Sequence, residues 1–140
     1  MPLAFWEGRL DISPAALEAV FGVFIDARLA GAVGLRLNTR PKSRHKAFLF
    51  GLYVNARCTG RGAGAALVEH AIAFAAAREG VALVQLSVIE GNGPAHRLYE
   101  RAGFRQFGLE PCAIFDEGSF KGNVHMWLPV TACCLPRELA

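Results

Sequence analysis

The sequence predicts an α+β domain whose sheet contains both antiparallel and parallel strand pairs. Two strand-like segments, Val20–Ile25 and Leu29–Asn38, flank a short turn and therefore predict an antiparallel hairpin. Two further apolar segments, Ala47–Val54 and Val81–Ile89, lie on either side of an alanine-rich helix at Ala65–Ala77. A strand, a helical crossover and a second strand imply parallel pairing within one sheet. We expect Ala47–Val54 to be buried on both faces, because its residues are almost continuously apolar.

Length and composition predict a single domain over residues 1–140. Hydrophobic residues make up 53% of the chain, which is enough for a core without disulfides. The apolar runs are far too short to cross a bilayer, and the first residues do not resemble a secretory signal. The four cysteines (Cys58, Cys112, Cys133 and Cys134) show no CxxC spacing. We therefore expect reduced thiols, no metal site and a cytoplasmic location.

The net charge of +3 is mild, and one basic run stands out around Pro41. Its members are Arg36, Arg40, Lys42, Arg44, His45 and Lys46. The run lies between two strand-like segments and lacks the interleaved aromatic residues or the recognition helix of a nucleic-acid-binding surface. We interpret it as a solvated hairpin loop, and we expect neither nucleic acid nor a membrane as a partner.

The remaining predicted elements lie at the two ends of the chain. A helical piece is expected at Phe5–Leu10, and Ser13-Pro14 suits the start of a second helical turn. A short helix is expected from Pro94 to Ala102, because proline suits a first helical turn. Two last strands, Phe104–Leu109 and Val124–Pro129, are expected to be joined by a loop.

A glycine-rich segment connects the Ala47–Val54 strand to the following helix. Gly60, Gly62 and Gly64 alternate there, so the backbone can turn tightly and approach a ligand closely. Free N–H groups at the start of the helix favour an anion such as pyrophosphate. A Walker A loop is excluded, because no lysine follows the glycines. A dinucleotide-binding GxGxxA pattern at Gly60–Ala65 and a glycine-rich turn without a ligand are the alternatives.

Two segments of the chain resemble the GNAT superfamily of acyl-CoA N-acyltransferases. VNARCTGRGAGAALV, at Val54–Val68, resembles the family's pyrophosphate-binding loop, with Thr59 where the family often carries Arg or Gln. SVIEGNGPAHRLYERAGF, at Ser87–Phe104, resembles the family's Asn-x-x-Ala-x-x-Leu-Tyr-Glu-x-x-Gly-Phe signature. The matching residues of this second segment are Asn92, Ala95, Leu98, Tyr99, Glu100, Gly103 and Phe104.

The resemblance implies an αβα-layered α+β fold with a mixed, largely antiparallel sheet. This sheet would be splayed between the parallel strands Ala47–Val54 and Val81–Ile89, and acetyl-CoA, the implied co-substrate, would enter the gap. Its pantetheine arm would pair with backbone groups at the end of the first of these strands. The implied cofactor-binding residues are Leu52, Tyr53, Val54, Thr59, Gly60, Arg61, Gly62, Ala63, Gly64, Ala65, Asn92 and Tyr99.

The implied reaction is acetyl transfer from acetyl-CoA to a primary amine of a small molecule or peptide, by direct attack in a ternary complex. Tyr99 matches the family's general acid, which protonates the leaving sulfur; the alternative is a tyrosine that only packs in the core. Asn92 would hydrogen-bond the pantetheine arm, lock the splayed strand end, or cap the helix that follows it. The alternative to an enzyme is a catalytically inactive CoA-binding or interaction module.

The general base does not follow from the resemblance. Many relatives carry a glutamate on the fourth strand, and FLFGLYV contains no carboxylate. Glu90 is the base we predict, with Tyr53 and His125 as alternatives at the rim of the cleft. A weakly basic acceptor amine is a further explanation, because an α-amine with a pKa near about 8 needs little help to lose its proton at pH 7.

The N-terminal segment departs from the family pattern. Relatives usually carry an opening strand and helix before the segment that matches Phe5–Leu10, so this chain is expected to lack both. The edge of Val20–Ile25 would then be uncovered, which is a liability for a strand. Either the sequence is a shortened one, or a partner subunit in a homodimer covers this side.

Overall fold

A computed structural model describes residues 18–58, 60 and 62–131 of the chain, and the backbone of residues 4–9. The strands are Ala4–Arg9 (β1), Glu18–Ile25 (β2), Arg28–Leu37 (β3), Lys46–Val54 (β4), Leu83–Ile89 (β5), Arg105–Asp116 (β6) and Ser119–Pro129 (β7). The helices are Ala63–Ala77 (α1) and Gly93–Ala102 (α2), and a single 3₁₀ turn covers Ala56–Cys58. All seven strands belong to one sheet, in the order β1-β2-β3-β4-β5-β7-β6.

The sheet is antiparallel except between β4 and β5, which run parallel as their helical crossover requires. This parallel pairing is short: Lys46, Ala47 and Phe48 pair with Leu83, Val84 and Gln85, and no further pairs follow. Beyond these residues the two strands separate. The predicted α+β fold, with a mixed sheet that splays between two parallel strands, is therefore confirmed.

One face of the sheet, called here the helix face, packs against α1. The ring of Phe21 on β2 meets the ring of Phe74 on α1 with 5.1 Å between centroids. Directly paired residues of neighbouring strands share a face, and alternate residues along a strand point to opposite faces. The strand pairing therefore places these residues, all buried except the partly buried Leu128, on the helix face: Phe21, Val33, Leu35, Leu49, Ala47, Val84, Leu86, Met126 and Leu128.

The opposite face, called here the open face, is less buried. It carries one row of side chains that crosses the sheet, formed by Arg36, Phe48, Gln85 and Trp127. The Arg36 guanidinium lies 5.3 Å from the centre of the Phe48 ring and 5.5 Å from that of Phe50. Such a contact stabilises an exposed arginine by about 0.5–1 kcal/mol.

The N-terminal expectations need correction. The helix expected at Phe5–Leu10 is wrong, because β1 is a strand that pairs antiparallel with β2 from Ala4↔Phe24 to Arg9↔Ala19. The expected uncovered edge of β2 is therefore wrong as well, and an opening strand is present. The pairing satisfies backbone groups that an unpaired β2 would expose, and such tertiary contacts override local propensity. The helical turn expected at Ser13-Pro14 lies outside the described residues.

Two strand predictions also need correction. β4 is not buried on both faces: Ala47 and Leu49 are buried on the helix face, whereas Gly51 and Tyr53 are exposed. The expected loop between the last two strands is instead a continuation of β6 and β7 up to a two-residue turn at Glu117-Gly118. Both turn residues have positive φ values, 50° and 78°, as tight hairpins require.

Candidate active site

The candidate site begins where β4 separates from β5. Gly51 has a φ of 64°, and the β3–β4 register shifts between Ala32 and Gly34, so β4 is distorted at this point. Leu52 and Val54 are half-buried, and Tyr53 is 55% exposed. Because β4 pairs with β5 only as far as Phe48, the backbone edge of the β4 end faces the gap without a strand partner.

The N-terminus of α1 lies just beyond this strand end. Its N-cap, Gly62, has a φ of 78° and makes no side-chain capping bond, and the first turn contains no acidic residue. The first helical hydrogen bond runs from the Ala66 N–H to the Gly62 oxygen, 3.0 Å. The N–H groups of Ala63, Gly64 and Ala65 therefore have no acceptor within the helix. Such a terminus is suited to bind an anion.

Two glycines before the helix are required for their backbone conformation and not for space. Gly60 and Gly62 have φ values of 86° and 78°, and a Cβ atom on either would meet nothing within 4 Å. In the left-handed region a side chain costs about 1–2 kcal/mol. Thr59 and Arg61, which the sequence also assigns to cofactor binding, lie outside the described residues.

Gly64 is the point at which the helix start, α2 and the end of β4 come together. A Cβ atom on Gly64 would lie 3.4 Å from Leu98 of α2 and 3.4 Å from Val54 of β4. The predicted anion-binding amides, the predicted pantetheine strand and the helix that carries Tyr99 are thus neighbours. This convergence is what the two separate sequence motifs require if they serve one ligand.

Tyr99 of α2 combines burial with an available hydroxyl group. The residue is 6% exposed, and its ring meets the ring of Phe104 edge-on at 6.0 Å. Burial raises the pKa of the phenol above its ordinary value, so the group keeps its proton at neutral pH. The hydroxyl makes no hydrogen bond within the described residues. Every fully buried side-chain polar atom among those residues has a hydrogen-bond partner, so the hydroxyl is not fully buried. The hydroxyl therefore retains contact with solvent.

Asn92 acts as the N-cap of α2. Its side-chain oxygen accepts a hydrogen bond from the Ala95 N–H at 3.3 Å. The capping role, one of the three roles expected from the sequence, is thus confirmed. A contact between the Asn92 amide and the pantetheine arm stays a prediction.

The three predicted bases differ in their surroundings. Glu90 is exposed, and its carboxylate lies beside β7. A Cβ atom on Gly122 of β7 would lie 3.2 Å from Glu90 Oε1. Tyr53 is exposed at the end of β4. His125 is half-buried on β7, and its Nδ1 atom lies 2.8 Å from the Ser87 hydroxyl of β5. Sequence reasoning missed Ser87, although its polar side chain in a largely apolar strand was a signal.

The described part of the chain carries neither a cluster of metal ligands nor a membrane-spanning helix. No three side chains of His, Cys, Asp or Glu come together there as metal ligands would. Of the helices in these ranges, none has the length and apolarity needed to pass through a bilayer.

Comparison with known proteins identifies the class to which this fold and site belong. The family model described as "Acetyltransferase (GNAT) family" matches residues 3–104. The L-amino acid N-acetyltransferase AaaT of Escherichia coli (strain K12) is 30% identical over 121 residues, which cover 86% of this chain and 73% of that protein. The chain therefore belongs to the GNAT acetyltransferase family.

Solved structures agree with this assignment. A GNAT-family acetyltransferase from Streptococcus pneumoniae superposes with a TM-score of 0.76 and 27% identity, over 81% of this chain and 67% of that one. An acetyltransferase from Salmonella typhimurium, solved with acetyl-CoA, superposes with a TM-score of 0.75 and 19% identity, over 85% of this chain and 68% of that one. These proteins share the fold of this chain.

Proposed function

We propose that this protein transfers the acetyl group of acetyl-CoA to a primary amine of a small molecule or peptide within a ternary complex. The observation that carries the proposal is the convergence at Gly64, where unpaired amides, a free strand edge and the Tyr99 helix meet. Two relatives support it: one is named for acetylation of L-amino acids, and another was solved with acetyl-CoA. The α-amines of amino acids are therefore the first acceptors to test.

The residues of the site fit the parts of acetyl-CoA. The pyrophosphate would accept hydrogen bonds from the free N–H groups of Ala63, Gly64 and Ala65, with the residues from Thr59 to Gly62 completing the loop. A hydrogen bond to a charged group contributes about 1.5–3 kcal/mol, so a few of them are sufficient without a lysine. The pantetheine arm would pair with the free edge of β4 at Leu52 and Val54.

Acetyl-CoA supplies a thioester, whose carbonyl carbon accepts the amine. A backbone N–H of the distorted β4 segment near Leu52 would stabilise the negative charge that develops on the carbonyl oxygen. As the new C–N bond forms and the C–S bond breaks, Tyr99 would donate its phenolic proton to the sulfur. Because burial raises its pKa, the phenol holds its proton at neutral pH, and the proton is present when the thiolate leaves.

The test is turnover of acetyl-CoA with a panel of amines, followed by mass spectrometry of the acetylated product. Tyr99→Phe removes the hydroxyl and keeps the ring contact with Phe104. We expect kcat to fall by about 10²–10⁴-fold, the usual contribution of a general acid, while calorimetry shows an unchanged Kd for CoA. A rise in melting temperature with CoA, but no product with any amine, would contradict the transferase and indicate a CoA-binding module.

A further inference from the structure

We propose that Ser87 and His125 form a proton relay that receives the proton of the attacking amine. The proposal deepens the acetyltransferase function and rests on it. It assigns the base to a pair of side chains from two strands, β5 and β7, instead of a single carboxylate.

The pair lies at the place where the sheet opens. Ser87 and His125 are directly paired across β5 and β7, on the open face. The last parallel pair on this face is Phe48↔Gln85. Ser87 follows Gln85 by two residues, so it is the first β5 side chain on the open face beyond the pairing. Phe50 is its counterpart across the gap on β4.

The geometry joins the two polar groups and leaves one imidazole nitrogen available. The Ser87 Oγ atom lies 2.8 Å from His125 Nδ1, and both residues are half-buried. The Phe107 ring packs beside the imidazole at 5.9 Å, on the side away from β5. Among the described residues His125 makes no second hydrogen bond, and no buried side-chain nitrogen or oxygen there lacks a partner, so its Nε2 atom has access to solvent.

The order of the strands sets the order of proton transfer. β5 borders the gap, and β7 lies one strand farther away, about 4.8 Å. An amine at the gap on the open face would therefore meet Ser87 before His125. A protonated amine passes a proton to Ser87 Oγ as the Ser87 proton passes to His125 Nδ1, and the neutral nitrogen then bonds to the thioester carbon. The imidazolium loses a proton to water, and exchange with water returns it to the Nε2–H tautomer, whose Nδ1 again accepts from Ser87. The nitrogen loses its second proton to water as the amide forms, and Tyr99 regains from water the proton that it gave to the sulfur.

The relay and the general acid lie on opposite faces of the sheet. Tyr99 belongs to α2, which packs on the helix face: a Cβ atom on Gly103, at the end of α2, would lie 3.1 Å from Leu128. Ser87 and His125 lie on the open face. A thioester held in the gap would thus have a proton acceptor on one side and a proton donor on the other. In the tetrahedral intermediate the amine nitrogen and the sulfur are separate substituents of the reacting carbon, so an acceptor and a donor at different positions can serve one each.

The other candidates fit this task less well. The Glu90 carboxylate lies beside Gly122 of β7, near the end of the pairing between β5 and β7. Tyr53 is 55% exposed at the end of β4. Among the described residues, only the Ser87–His125 pair joins a hydroxyl group on the strand that borders the gap to an imidazole nitrogen.

The experiment compares Ser87→Ala, His125→Gln and the double variant with the unaltered protein. Ser119→Ala and His96→Gln are matched controls, because these residues lie at the β6–β7 turn and on α2, away from the pair. We expect each relay variant to lose about 100-fold or more in kcat, with an unchanged KM for acetyl-CoA. The double variant should lose no more than the worse single variant, because the two residues act as one unit.

The acceptor amine supplies a readout that a purely structural role would not change. The loss should be larger for the ε-amine of an Nα-blocked lysine, with a pKa near about 10.4, than for an α-amine with a pKa near about 8. Without the relay, only amine that is already neutral can react. Ser87→Thr should keep most of the activity, and added imidazole should restore part of it to His125→Gly.

Three results would overturn the relay. The first is a wild-type kcat in either single variant. The second is a fall in kcat of the double variant equal to the product of the two single falls. The third is an equal fall in kcat for both amines. If the variants fail to fold, Ser87→Thr and the imidazole rescue decide the matter. Absence of product from the unaltered protein on every amine would instead overturn the acetyltransferase function, and the relay with it.

Discussion

Gly31 and Tyr53 hold the backbones of β3 and β4 unusually close together at the edge of the gap. A Cβ atom on Gly31 would lie 2.5 Å from the Tyr53 carbonyl oxygen and 3.0 Å from Leu67 of α1. Glycine at this position therefore allows the two backbones to approach closely. Any side chain at this position must displace the strand end that is expected to bind the pantetheine arm.

Gly31→Ala should therefore destabilise the fold. The obstacle is a backbone oxygen that cannot rotate away, and overpacking of this kind costs about 1–3 kcal/mol. Urea unfolding measures the change. Gly93→Ala is the matched control: its Cβ atom would meet only the mobile end of Arg97 at 3.0 Å, and alanine suits a helix. Equal stability of the two variants would contradict the prediction.

Substitution of Gly62 should weaken CoA binding through the backbone alone. Its φ of 78° is strained for alanine, whereas asparagine tolerates the left-handed region better. We expect Gly62→Ala to raise the Kd for acetyl-CoA about 10-fold, as a strain of about 1.4 kcal/mol would, and Gly62→Asn to raise it less. Calorimetry with S-acetylpantetheine, which lacks the pyrophosphate, is the control. An equal loss for both ligands would show that the amides do not bind the diphosphate.

The raised pKa of Tyr99 predicts how stability depends on alkaline pH. Below pH 10 the phenol is neutral in both the folded and the unfolded chain, so it contributes no pH dependence. Above the ordinary pKa of 10.0 the unfolded chain loses the proton first, because burial raises the folded-state pKa. The unfolding free energy should then fall faster with rising pH in the unaltered protein than in Tyr99→Phe. A constant difference between the two from pH 8 to beyond the ordinary pKa would contradict this prediction.

Asn92→Ala should destabilise α2 by removing its cap. The lost hydrogen bond from the Ala95 N–H to the Asn92 side chain is expected to cost about 1 kcal/mol in thermal or urea unfolding. Asn92→Ser restores a capping oxygen and should recover most of this loss. If Asn92 also binds the pantetheine arm, the serine variant will regain stability without regaining CoA affinity, so the two roles can be separated.

The sequence predicts those elements whose signals are local. α2 is predicted almost to the residue, because Pro94 suits a first turn and Gly103 an exit in the left-handed region. The start of α1 follows likewise from the adjacent glycines, and it lies within two residues of the expected Ala65. The β4–β5 parallel pair follows from the crossover rule, which depends only on the order of the elements.

The errors arise where pairing partners are distant. β1 forms because it pairs with β2, and six residues without a clear alternation do not reveal that partner. β6 continues past Pro111 because its register shifts between Glu110 and Ile114, and such a bulge accommodates a proline. Ser87 and His125 are 38 positions apart, so only the register of β5 and β7 brings them together.

The three residue pairs between β4 and β5 have a further consequence. The sheet consists of two leaves, β1-β2-β3-β4 and β5-β7-β6, that meet along a short seam. A ligand hydrogen-bonded to both leaves would hold them together. A ligand that binds only the folded chain raises the free energy of unfolding. The fraction of this protein that is folded would then increase with the concentration of acetyl-CoA.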